Sequence, residues 1–157
     1  TEYKLGILPL GGYVKMSGDD PSKSYSEEEK NIGFLVKLLI DSLNEEKIYQ
    51  FVQAKDKKNN EKGISKLKKC FSALQFEEYE EHINFLRQIQ DIRSKMAAHR
   101  KGSSYEKIKK EFGLNNEAYK QKFKEFLNKS VCFIEYLEDH FLKEKKYLTN
   151  ETTNDVI

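Results

Sequence analysis

The chain has 157 residues, of which 34% are charged and 38% hydrophobic, with ten Phe, nine Tyr and no Trp. This is long enough for one domain with a real core and a short appendage, and the composition is typical of soluble, Lys- and Glu-rich helical proteins. No run approaches ~18 uninterrupted apolar residues, which excludes a membrane-spanning helix, and two cysteines are too few for a disulfide framework.

The first residues, "TEYKLGILPLGGYVKM", read as a β-hairpin. Tyr3, Leu5 and Ile7 alternate with polar or small residues, "PLGG" supplies turn chemistry and "YVKM" resumes an extended pattern. Residues 1–18 are therefore expected to form a β-like appendage, and "SGDDPSKS" (17–24) a polar linker that runs out by residue 25.

Helices are predicted from residue 26. Ser26 followed by three Glu is an N-cap with acids in the first turn, and Ile32, Leu35, Val36, Leu39, Ile40 and Leu43 recur at helical spacing. A weaker helical stretch carries Ile48, Phe51 and Val52, and "KDKKNNEKG" (55–63) is a solvated loop. A helix over 64–75 places Ile64, Leu67, Cys70, Phe71 and Leu74 on one face. The next covers about 77–98, with Tyr79, Ile83, Leu86, Ile89 or Gln90, and Arg93 in sequence along it. Gly102 stops it, and Ser103 with Glu106 signals the capping box of a short basic helix ending at Gly113. Asn115 or Asn116 is expected to cap a last helix to about Tyr147, whose core stripe is Tyr119, Phe123, Phe126, Leu127, Ser130, Phe133, Ile134, Leu137 and Phe141. Residues 148–157 are expected to be disordered. The expected fold is all-α, an antiparallel helical bundle of four main helices over 26–147 with the short basic helix added. Cys70 and Cys132 are expected to be reduced core residues, and His82 and His140 structural or exposed.

Charge is unevenly distributed. Residues 93–110 hold seven Lys or Arg against one Glu, so a net +2 for the chain and +6 here leave −4 elsewhere. Such a segment points to an anionic partner.

Two stretches resemble known families. "PLGGYVKM" (9–16), within residues 1–18, resembles a segment of the site-2 proteases, membrane-embedded zinc metalloproteases. Their zinc motif, two His on one helix face, is matched by none of "EEHIN", "AAHRK" or "EDHFL", so no metal site and no active metalloprotease are expected from these residues. "IRSKMAAHRKGSSYEK" (92–107) resembles the signature of HEPN domains, helical bundles that carry an Arg, usually a polar residue, then a His four to six residues on. Here these are Arg93, Ser94 and His99; the commonest version has Asn after the Arg and one residue fewer before the His.

The HEPN resemblance implies a metal-independent endoribonuclease, or an RNA- or nucleotide-binding module of toxin or defence type. It needs no cofactor, and a homodimer and an antitoxin or other partner protein are its expected associations. Arg93 and His99 would be the catalytic pair. Six residues at 100° each put them about 120° apart on a straight helix, so they converge only if the helix unwinds or two copies share a cleft. His suits proton transfer near neutral pH and Arg holds phosphate oxygens. Ser94, Arg100, Lys101, Lys107, Lys109 and Lys110 would contact the RNA backbone and Tyr105 would stack on a base. The alternatives are a non-catalytic helical interaction domain, and a soluble piece of a site-2 protease chain lacking the zinc motifs. A cytoplasmic location is expected, with membrane association only if the chain continues upstream into such a protease.

Overall fold

The computed structural model describes residues 25–98, 103–115 and 118–143, and these form six α-helices and no strand. The hairpin expected over 1–18, its linker and the tail from 148 lie outside the described residues.

The first helix, α1 (Glu27–Val36), begins where the sequence says it should. Ser26 Oγ accepts the Glu29 amide at 3.2 Å and Glu29 Oε2 accepts the Ser26 amide, so two otherwise orphaned donors are satisfied reciprocally. It widens into a π-type turn over Lys37–Asp41, where Ser42 Oγ donates back to the Leu38 carbonyl. The wider turn seats both Leu39 and Ile40 in the core and leaves Asp41 at the surface.

Helix α2 (Glu45–Gln50) is capped by Asn44, whose Oδ1 accepts the Lys47 amide at 3.1 Å. Within it Ile48 is buried, and after it Val52 is buried and Phe51 is exposed. A single 3₁₀ turn at Ala54–Asp56 interrupts the charged loop that leads to α3 (Gly63–Ala73).

α3 ends in a Schellman motif: the Phe76 amide donates to Phe71 O at 3.0 Å and the Gln75 amide to Ser72 O at 3.1 Å. Gln75 takes the left-handed position, φ 57°, that such an end requires, and the Phe76 and Phe71 rings meet across it at 5.7 Å. The next helix, α4 (Glu80–Ala98), starts three residues later than residue 77. Glu78 is also left-handed, φ 56°, and Tyr136 Oη donates to the Glu77 carbonyl at 2.7 Å, so tertiary contacts hold 75–79 as an irregular link. α4 is the central element, packing against α1, α3, α5 (Ser103–Glu111) and α6 (Tyr119–Glu138). Its fully covered residues are Ile83, Leu86, Ile89 and Ile92, which decides the core position between Ile89 and Gln90. Each large side chain buried this way stabilises the fold by roughly 1.5–3 kcal/mol.

α5 stops as expected at Gly113, φ 67°, in a second Schellman motif with Leu114 donating to Lys109 O at 2.7 Å and itself fully buried. The last helix, α6, differs from expectation at its start, while its expected end near Tyr147 lies outside the described residues. Among the described residues no side chain caps it: the Tyr119 amide donates to the backbone carbonyl of Asn115, and the helix proper begins at Tyr119. It passes into a π-type turn over Asp139–Lys143.

The α6 stripe is also corrected. Phe126, Ser130, Phe133, Leu137 and Phe141 are buried, whereas Leu127 and Ile134, expected in the core, are exposed together with Val131. Likewise Cys70 is buried and Cys132 is exposed; both are free thiols, and burial pushes the Cys70 thiol up to about 12. No helix among the described residues is long and apolar enough to cross a membrane.

Candidate functional site

The basic segment begins on α4. Arg93 follows Ile92, which is fully buried, so its side chain emerges beside the core face and is 41% exposed. Arg93 Nη1 donates to Asp41 Oδ2 at 3.0 Å, an ion pair between α4 and the end of the π-type turn. Ser94, one residue on, is exposed. Two residues past Arg93, Lys95 pairs with Asp91 on its own helix at 3.1 Å and with Glu111 of α5 at 3.3 Å, and its ammonium lies 4.8 Å from the Phe112 ring centroid. Arg93 and Lys95 therefore take separate partners, in the α1 turn and in α5. His99, Arg100 and Lys101 lie outside the described residues.

On α5 the expected phosphate contacts divide into two groups. Lys107 and Lys110 are exposed. Lys109 pairs with Glu28 at 3.2 Å, and its side chain retains only 11% exposure. Burial raises the Glu28 pKa, but its own backbone amide, Ser26 and Lys109 outweigh that and leave the carboxyl below its ordinary value. Lys109 is thus a link between α5 and α1 and presents no free ammonium.

Tyr105 is held in the same way. Its hydroxyl and Ser26 Oγ are 2.7 Å apart, its ring packs against the core, and Lys109 lies 5.9 Å from the ring centroid. Burial raises its pKa most, with Glu29 and Glu28 adding to the effect. A ring held on both sides is a clamp on the start of α1 and not an open stacking platform. A third link, Asn31 Nδ2 donating to Tyr119 Oη at 2.7 Å, ties α1 to α6. Sequence reasoning missed all three, since partners 79 and 88 residues apart leave no local signal.

His82 and His140 are placed together, a proximity that spacing does not reveal. The His82 ring lies 4.6 Å from Tyr136 and 5.8 Å from Phe133; the His140 ring lies 4.2 Å from Tyr136 and 4.3 Å from Phe76. His140 Nδ1 is 2.9 Å from the Tyr136 carbonyl. Burial lowers the His82 pKa, Glu81 opposes this and His140 adds to it. Burial also pushes the Tyr136 phenol up to about 12. Both imidazoles are packing elements of an aromatic cluster where α6 meets α4. Among the described residues no group of three His, Cys, Asp or Glu side chains is placed to hold a metal ion.

The described residues thus supply an exposed cationic set of Arg93, Lys107 and Lys110, with Asp41 as the one carboxylate bound to it. Comparison of the chain with protein-family models, curated proteins and solved structures finds no match.

Proposed function

We propose that this is a HEPN-like helical domain that binds single-stranded RNA or a nucleotide through the α4–α5 junction, with metal-independent RNA cleavage by Arg93 and His99 as its reaction. The bundle in this reading is antiparallel, built on α1, α3, α4 and α6 with α5 as the basic addition. The single observation that carries the reading is the position of Arg93. A guanidinium held at the surface by one carboxylate, at the head of a segment with six surplus positive charges, suits capture of a phosphate.

In the reaction, His99 takes the 2′-hydroxyl proton and the freed oxygen attacks phosphorus. The 5′-oxygen leaves with a proton returned from an imidazolium, giving a 2′,3′-cyclic phosphate and a 5′-hydroxyl end. Arg93 stabilises the charge on the phosphoryl oxygens. Two copies facing each other would bring the Arg of one chain to the His of the other.

The test is incubation of unstructured RNA with the full chain in EDTA. Cleavage to cyclic-phosphate ends that falls at least ~10²-fold in both Arg93→Ala and His99→Ala supports the reaction. Intact RNA with salt-sensitive binding removes the enzyme and leaves the binding module. A second reading, a non-catalytic interaction domain, is favoured by the use of Lys109 and Tyr105 as internal links. RNA neither bound nor cut would leave that reading alone.

A further inference from the structure

We infer that α6 is a self-association surface, on which a second copy of this chain docks antiparallel about a twofold axis at Val131. The inference does not depend on the RNA reading.

α6 carries two parallel apolar stripes. One, from Phe126 to Leu137, faces the core; the other, one residue further round, is Leu127, Val131 and Ile134, all exposed, Val131 by 53%. Exposed apolar side chains scattered singly need no explanation, but three in register on one helix do. Lys124 precedes Leu127 by three residues and Glu138 follows Ile134 by four. The order Lys124, Leu127, Val131, Ile134, Glu138 therefore has the alternating three- and four-residue spacing of a two-helix seam. Lys124 and Glu138 are both exposed, and neither has an ion-pair partner among the described residues.

Charge chooses the partner and its direction. Beyond the apolar centre, α6 is basic at one end, with Lys120 and Lys124 exposed, and acidic at the other, with Glu135 and Glu138 exposed. A parallel pair would set Lys124 against Lys124 and Glu138 against Glu138. An antiparallel pair centred on Val131 sets Lys124 against Glu138 of the second copy, twice, and Leu127 beside Ile134 of that copy. The surface is thus complementary to itself when inverted, which is the requirement for a closed isologous dimer. Three apolar positions on each side make a small interface, so association in the micromolar range is expected.

Sedimentation equilibrium of the full chain across that range tests the inference. The expected result is a monomer–dimer equilibrium that Val131→Glu abolishes without altering the helical circular dichroism, since the side chain is exposed. Lys124→Glu and Glu138→Lys should each weaken dimerisation, and the double variant K124E/E138K should restore it. A chain that stays monomeric overturns the inference, whether the stripe is bare or covered by the chain's own apolar residues 3–16. A dimer indifferent to Val131→Glu places the interface elsewhere and overturns it too. Failure of the double variant to recover overturns the antiparallel register.

Discussion

The Arg93 guanidinium donates to the Asp41 carboxylate at 3.0 Å, joining the wide turn that ends the first helix to the helix that runs into the basic segment. The pair is a half-exposed contact, so its direct contribution to stability is below about 1 kcal/mol. For an incoming phosphate, however, Asp41 is a competitor. Asp41→Asn is expected to leave the denaturation midpoint nearly unchanged and to tighten single-stranded RNA binding about two- to fivefold at low salt. Titration of fluorescently labelled RNA checks this. Unchanged affinity would place Arg93 outside the interface.

The lysines of α5 separate by the same logic. Lys107→Ala with Lys110→Ala should flatten the salt dependence of RNA binding by about 1.4 in the log–log slope, the value for two single-strand phosphate contacts. Lys109→Ala should leave the slope unchanged and lower stability, because it strands Glu28 at 13% exposure. A slope change from Lys109→Ala alone, with stability intact, would contradict its assignment as an α5–α1 link.

The two Schellman ends make a matched pair for mutagenesis. Gly113 has the residue type that φ 67° favours, and a Cβ there would meet no atom within 4 Å, so Gly113→Ala tests the backbone alone. It should cost about 1 kcal/mol. Gln75 occupies the equivalent position with a side chain, so Gln75→Gly should raise stability by roughly 0.5–1 kcal/mol. Urea denaturation of both variants reads the two signs directly.

His82 predicts a pH dependence. Its folded pKa lies below the ordinary value, because burial against Tyr136 and Phe133 disfavours the cation and the nearby His140 adds to this, with Glu81 opposing. Around and below the ordinary His value the unfolded chain therefore binds the proton more readily than the folded one. The resulting stabilisation is complete above that value and is lost as pH falls through the folded pKa. Stability should drop between about pH 7.5 and pH 5, and His82→Phe should flatten that drop. Wild type and variant losing stability in parallel would refute the assignment.

The parts legible in the sequence are those whose partners are local. Ser26 and Glu29, three residues apart, announce the first cap, and Gly113 announces the end of α5. The start of α4 was not legible because Tyr136 holds Glu77 from another helix, and a Gln in a left-handed turn carries no glycine-like signal. Helical spacing identified α6 as amphipathic, yet it could not say which of two adjacent stripes is covered. That is why spacing alone puts Leu127 and Ile134 inside, where the structure exposes them. The site was less legible than the fold. Arg93 stood out by residue type, whereas its Asp41 partner is 52 residues away. Lys109 and Tyr105 look like surface residues until Glu28 and Ser26 are folded against them.

The three links that hold the start of α1, Ser26 to Tyr105, Glu28 to Lys109 and Asn31 to Tyr119, have a mechanical consequence. Residues 1–24 join the helical domain at this point, so tension applied through them bears on Ser26. Each bond alone is weak and exchangeable with water. Placed one after another within about the first turn and a half of α1, they come under load in order, and the first of them reaches the basic helix. Pulling on the leading peptide would therefore disturb α5 before it separated α1 from α4, making that peptide a handle on the segment that leads to Lys107 and Lys110.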